Sequence, residues 1–289
     1  MNTNKHLRGN GGIKEFWRRF RKNKSAVFGL ALLTILILAS VFANVIADPS
    51  LVTAQDASIR LQGPSSEHWF GTDQFGRDIF ARVVHATPVS LMIGVSVAVI
   101  SLILGSLLGV TSAYFGGKYD DIMMRVVDVI SSIPGTLMAM VIVAVLGANM
   151  QNMIIALVFA RIRSTTRLSR SAVFGMSGQE FIDAARAGGA SHFRIIMKHI
   201  IPNISSTLIV DTTMNVSACI LQAAALSFLG LGVQPPTPEW GSMLNDARSF
   251  MRNAPHIMIF PGLAILFASL SINLVGDGMR DVLDPRLKS

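Results

Sequence analysis

Five long apolar runs, at residues 26–47, 89–113, 129–147, 204–229 and 257–275, limit what this chain can fold into more than any other feature. A bilayer core about 30 Å thick is crossed by about 20 apolar residues of helix, and each run supplies such a segment. Lipid offers no partner to backbone N–H and C=O groups, so runs of this kind are expected as helices. The expected fold class is an all-α membrane protein. Composition agrees: 51% of the residues are hydrophobic and 15% charged, too few charges for an ordinary water-exposed surface. The net charge of +8 could suggest a nucleic-acid partner. However, Lys and Arg fall between the apolar runs rather than on one soluble face, so the charge describes topology. Cys219 is the single cysteine, which excludes an intramolecular disulfide and any CxxC metal site.

A sixth span is ambiguous by hydropathy. Residues 153–160 (MIIALVFA) are apolar, but Arg161, Arg163, Arg167 and Arg170 follow at once. The positive-inside rule arbitrates. With six spans and the N-terminus inside, 20 Lys and Arg lie inside and 5 outside; with five spans the split is 12 against 13. The expectation is six transmembrane helices with both termini inside. In order, the chain has a basic N-terminal segment (1–25), a first span (26–47), an extracytoplasmic loop (48–88), a core with five spans (89–280) and a cytoplasmic tail (281–289). The first run, 22 residues long and followed by further spans, is expected to be an uncleaved helix rather than a signal peptide. Trp17, Trp69 and Trp240 lie outside the runs, where indoles sit at headgroup level with their N–H groups hydrated.

The connecting segments are patterned. IKEFWRRFRKNKS, before the first run, reads either as a short interfacial helix on the anionic inner leaflet or as a basic tail that fixes orientation. Residues 48–88 are too patterned for a linker and too short for a domain, which suggests a compact lid. In residues 230–256, Pro235, Pro236 and Pro238 forbid helix locally, and helix is expected to resume at Trp240. Pro134, Gly135, Pro261 and Gly262 fall where spans can kink.

The inner loop at 178–203 carries the most specific pattern. Gln179 to Ala187 is expected as one short helix, with Glu180, Asp183 and Ala184 on one side. Gly188 and Gly189 make a corner. A second helix is expected from Ser191 as N-cap to about Ile200, with Phe193, Ile196, Met197 and Ile200 as its apolar stripe, and Pro202 closes the loop. An amphipathic pair at this place asks for a partner.

The order Asp183-Ala184-Ala185, three residues, Gly189, then Ile201-Pro202 resembles the EAA loop of permease subunits in binding-protein-dependent ABC importers, with Asp in place of Glu and Ile in place of Leu. The strings GTDQFGRDIFARVV, SFLGLGVQPPTPEWGSMLNDAR and GDGMRDVLDPRL extend the likeness. They are similar to C-type subunits of the dipeptide, oligopeptide, nickel and glutathione permease family, and the resemblance runs from about Trp17 to Arg286. It implies a six-helix subunit of a bacterial or archaeal cytoplasmic membrane, paired with a B-type permease. Two cytoplasmic ATPases, which hold the ATP and Mg, and an extracytoplasmic substrate-binding protein would complete the importer. It further implies that Glu180, Asp183, Ala184, Ala185, Gly189 and Pro202 form the ATPase-coupling surface, with Gly189 making the turn and Asp183 offering a carboxylate. Di- and oligopeptides are the favoured cargo, with a nickel chelate or glutathione as alternatives.

The residues themselves place the motor elsewhere. No GxxxxGK[ST] occurs, and the nearest string, SAYFGGKY, lacks the leading Gly and the hydroxyl after Lys118. HExxH, GxSxG and cysteine–histidine clusters are also absent, so the chain is expected to be catalytically silent, with no cofactor, no metal and no nucleic-acid partner of its own. Candidates for the substrate path are the intramembrane charges Arg161, Arg163 and Asp211. Either arginine could attract a substrate carboxylate, or both could snorkel to the inner headgroups with Arg167 and Arg170; Asp211 could pair with an arginine of span four. His68, His85 and His256 lie on the expected outer side and are scattered. A secondary transporter would need coupling carboxylates near the membrane midplane, whereas Asp128 and Asp211 lie closer to the inner ends.

Overall fold

A computed structural model describes the backbone of residues 10–176 and 180–283, and the side chains of 14–176 and 182–283. The described residues are helical, with a single isolated bridge between Thr72 and Asp78 and no strand. The helices are α1 (Asn10–Phe20), α2 (Lys24–Val41), α3 (Ala43–Ile46), α4 (Ile79–Phe115), α5 (Gly117–Ser131), α6 (Gly135–Leu146), α7 (Met150–Phe174), α8 (Glu180–Ala187), α9 (His192–Ile195), α10 (Ile201–Phe228), α11 (Trp240–Ala247) and α12 (His256–Leu283). Of the expected tail at 281–289, residues 284–289 lie outside the described residues.

Four helical stretches are long and apolar enough to cross a membrane: α2, α4, the stretch from α9 through α10, and α12. The run at 129–147 breaks at the expected kink, and sharply. α5 and α6 meet at 81°, and α6 has only 12 residues. Pro134 is the cause: its ring forces Ile133 out of helical geometry and it offers no N–H to the preceding turn. α7 is 25 residues long, enough to cross, but its arginines lower its hydropathy. It nevertheless packs inside the bundle, against α4, α6 and α10.

α4 spans 37 residues, about 55 Å, so it projects beyond the bilayer core. It begins at Ile79, ten residues before the apolar run, because Asp78 caps it by accepting from the Ala81 N–H at 2.7 Å. Pro88 lies inside it without ending it. Its contact with α7 depends on Gly105 and Gly109, one helical turn apart. A Cβ at Gly105 would stand 2.6 Å from Thr165 Cβ, and one at Gly109 2.2 Å from the Thr166 carbonyl oxygen. This is how small residues let membrane helices approach where no hydrophobic effect drives them together.

Residues 48–78 and α11 fold together into a cap over one end of the bundle, which gives the expected lid a definite structure. Buried charges hold it. Arg77 Nε donates to Asp73 Oδ2 at 2.6 Å, Arg77 Nη2 reaches Asp246 Oδ2 at 3.4 Å, and Arg82 Nη1 donates to the Val52 carbonyl at 3.1 Å. Trp240 is fully buried, and its Nε1–H donates to the Val83 carbonyl at 3.2 Å. The expected hydrated indole is thus corrected for Trp240, which anchors the cap, whereas Trp17 and Trp69 are exposed. Glu239, also buried, caps α11 by accepting from the N–H groups of Gly241 and Ser242, both at 2.9 Å. Burial pushes its carboxyl above the usual range, against the hydrogen bonds that favour the charged form.

At the other end of the chain, α1 is a helix rather than a tail. Phe20 is buried in a small cluster with Ala26, Val275 and Val282, and Phe16 packs against it. Lys14, Arg18, Arg21 and Lys22 stay exposed.

Candidate functional site

α8 and α9 form the expected corner at the end of the bundle opposite the cap. α8 ends in a Schellman motif: Ala190 N–H donates to the Ala185 carbonyl at 3.1 Å and Gly189 N–H to that of Arg186 at 3.0 Å. Gly189 has φ +75°, the left-handed conformation that favours glycine, so the corner is written into its residue type. Ser191 then caps α9 through the Arg194 N–H. Gln179 lies outside the described residues, as does the side chain of Glu180.

Two expectations about the second arm are corrected. Pro202 does not close the loop, because residues 192–228 run as one continuous helix. A π turn over 196–200, in which Ile201 N–H donates to the Ile196 carbonyl, widens the helix just before the proline. This turn relieves the clash and the missing donor that proline brings to a helix. The apolar stripe is also shifted. Ile195 and Ile200 are the fully buried residues, packed with Val110, Val173 and Ile204, while Phe193 is 74% and Met197 46% exposed.

Tyr114, near the end of α4, braces the corner from one side. Its hydroxyl lies 2.8 Å from His192 Nδ1, and the Arg186 guanidinium sits 5.8 Å from its ring centroid. Asp183, Ala184 and Gly189 face away from the bundle, exposed; Ala185 is half-buried against it and Pro202 is exposed. Among the described residues, no hydrogen bond or ion pair engages the Asp183 carboxylate. The corner therefore presents a carboxylate, a close-approach surface of alanine and glycine, and two unburied apolar side chains.

The four arginines of α7 have different fates. Arg170 makes a two-pronged pair with Asp120, at 2.6 and 2.5 Å, and Arg167 reaches Asp128 at 2.6 Å. They tie α7 to α5 rather than snorkelling free. Arg163 Nη1 donates to the Ile133 carbonyl at 2.8 Å and, more weakly, to that of Ile130 at 3.4 Å. It thus satisfies acceptors left over at the α5–α6 break. The Arg161 guanidinium has no hydrogen bond or ion pair among the described residues. It lies within electrostatic range of Asp211, which is bonded to Asn215 Nδ2 at 2.6 Å instead of pairing with an arginine.

The cap charges were missed as a site by reasoning from residue types, although the Asp-x-x-x-Arg spacing of Asp73 and Arg77 was legible. The three histidines of that region separate: His68 Nδ1 lies 2.8 Å from Asp78 Oδ2, His85 Nε2 3.0 Å from the Ala47 carbonyl, and His256 Nε2 3.4 Å from that of Thr72. Among the described residues, no three His, Cys, Asp or Glu side chains gather as metal ligands.

Comparison with known proteins bears on both regions. Residues 101–289 match a family described as "binding-protein-dependent transport system inner membrane component", and residues 13–64 match the N-terminal transmembrane domain of oligopeptide transport permease C. A dipeptide transport system permease protein of Alkalihalophilus pseudofirmus is 44% identical over 276 residues, 96% of this chain and 90% of the relative. A glutathione transport system permease protein of Escherichia coli O6:K15:H31 is 45% identical over 274 residues, 95% of this chain and 90% of the relative.

Proposed function

Because the chain belongs to the family of inner membrane components of binding-protein-dependent transport systems, and is the permease subunit of such an ABC importer, we propose that it forms half of a peptide translocation path and couples it to ATP hydrolysis through the α8–α9 corner. It is a multi-pass protein of the bacterial inner membrane. Its family consists of transport components rather than enzymes, and the family assignment displaces the ion-coupled alternative.

The observation that carries the coupling reading is the corner itself. Buried Ile195 and Ile200 lock it to the bundle while Asp183, Ala184, Phe193 and Met197 stand ready for another protein. In this reading α7 is the sixth span, both termini are cytoplasmic, and the corner meets one of two ATPase subunits that carry ATP and Mg. A related B-type permease supplies the other half of the path, and a binding protein delivers cargo at the cap end. ATP-driven closure of the ATPases moves the corner and, with it, the long helix from His192 to Phe228, so the importer shifts between two packings. The unbroken passage from α9 into α10 supports such rigid transmission. Catalysis stays on the partner chains.

Peptide cargo has the support of the dipeptide permease relative, and the glutathione relative supports a glutathione path of the same chemistry. A nickel path finds less support, since the cap histidines are each engaged by a different group. The test is to purify the tagged chain from its native membrane in mild detergent, identify its companions, and measure ATP hydrolysis with binding protein and either dipeptides or glutathione. Two ATPases and a second permease, with hydrolysis raised by dipeptide, support the reading. A chain that arrives alone, or hydrolysis indifferent to every cargo, overturns it.

A further inference from the structure

α10 presents a polar stripe where lipid contact would require an apolar one. Thr207, Asp211, Asn215 and Gln222 recur at intervals of four, four and seven residues, so they share one side of the helix. None of them is buried, and the residues between them on that side, Met214 and Ala218, are half-exposed and uncharged. The other side of the same helix buries Leu208, Ile220, Ala223 and Ser227. α4 carries a contrasting surface: its exposed Val95, Val99, Ile103 and Leu107 are all apolar, as lipid contact requires.

Arg161 adds a charge to the polar side. It is the twelfth residue of α7, about 16 Å along a helix that packs against α10. Asp211 is the eleventh residue of α10, in the half of that helix nearer the corner. An ionisable group inside a membrane span faces water or a partner of opposite charge. The two form no ion pair with each other: Asp211 Oδ2 accepts from Asn215 Nδ2 at 2.6 Å, and Asp211 Oδ1 and the Arg161 guanidinium have no hydrogen-bond partner among the described residues.

We propose that the α10 stripe and Arg161 form a hydrated wall of the translocation path, where Arg161 receives the carboxylate and Asp211 the ammonium group of a zwitterionic, amino-acid-derived solute. The assignment of a solute rests on the importer reading above. Thr207, Asn215 and Gln222 then supply successive hydrogen-bond partners along the helix axis. Contacts of this kind are weak and multiple, as passage requires, because a solute held tightly at one site would not leave.

The experiment uses the assembled importer in native membranes. In a Cys219→Ala parent, Asn215→Cys on the polar stripe and Ile103→Cys on the apolar one are treated with an anionic reagent, sulfonatoethyl methanethiosulfonate, and a cationic one, trimethylammonioethyl methanethiosulfonate, with and without ATP. Expected is modification of Asn215→Cys and none of Ile103→Cys. Adding Arg161→Gln should lower the anionic-to-cationic rate ratio about tenfold, Asp211→Asn should raise it by a similar factor, and Arg161→Lys should preserve it. An Asn215→Cys thiol that stays unreactive in both nucleotide states overturns the hydrated wall, and a ratio indifferent to both charge substitutions overturns the role of the two charges. Dipeptide uptake by the parent complex is measured in parallel. Its absence with the labelling pattern intact would sink the dipeptide-cargo reading and leave the wall standing.

Discussion

At the cap end, Asp73, Arg77 and Arg82 are buried together, and Glu239 and Trp240 are sealed where α11 meets α4; at the corner end, Asp183, Ala184, Phe193 and Met197 stand exposed on a turn held by Ile195 and Ile200 and braced by Tyr114. Both ends are short segments between long helices, and both carry charged and aromatic residues. The difference lies in where those residues find their partners. The cap satisfies its charges and its indole N–H internally, which makes it a fixed part of the bundle. The corner satisfies its backbone through the Schellman turn at Gly189 but leaves its side chains for another molecule. The cap keeps its shape by itself, while the corner depends on what docks against it; the proposed function assigns cargo to the first and force to the second.

Substitutions at the two ends should separate these roles. The largest effect is expected at the cap. Arg77→Met leaves the buried Asp73 with two backbone N–H donors and, as its ion-pair partner, only Arg82 at 3.7 Å, and loss of one member of a buried pair costs about 3–5 kcal/mol. The melting midpoint of the detergent-solubilised complex should fall sharply; an unchanged midpoint would mean that the cap charges are solvated and that the two ends do not differ. Phe193→Ala at the corner should leave the midpoint in place and weaken ATPase docking by about 2 kcal/mol, roughly 30-fold in affinity. Substrate-stimulated hydrolysis is the readout, and a fall in midpoint with stimulation intact would assign Phe193 to the fold instead.

The smallest effect concerns pH. The Glu239 carboxyl is raised by burial, so over the window above the ordinary carboxylate value the folded chain holds a proton that the unfolded chain has released. Stability at this position is therefore full at acidic pH and declines as pH rises toward the folded value. Glu239→Gln, which still offers an acceptor to the N–H groups of Gly241 and Ser242, should flatten that slope in melting midpoints measured from about pH 4 to 8. A slope that survives the substitution places the titrating group elsewhere.

What could be read without coordinates was what local chemistry dictates. The apolar runs announced the long helices α2, α4, α10 and α12, since length and hydropathy alone decide whether a segment can satisfy its backbone inside lipid. Gly189 and Ser191 announced the corner, because a left-handed turn and an N-cap are each settled by a single residue type. Tertiary structure decided everything that depends on a neighbour distant in the chain. Pro134 signalled a break, yet only the fold brought Arg163 to the carbonyls it freed. Trp240 and Arg77 look like surface residues until α4 and residues 48–78 enclose them. Pro202 reads as a stop, but a π turn let the helix continue through it. Periodicity shows which residues share a face. Whether that face meets lipid, water or protein depends on packing between segments, as the polar side of α10 and the exposed Phe193 both illustrate.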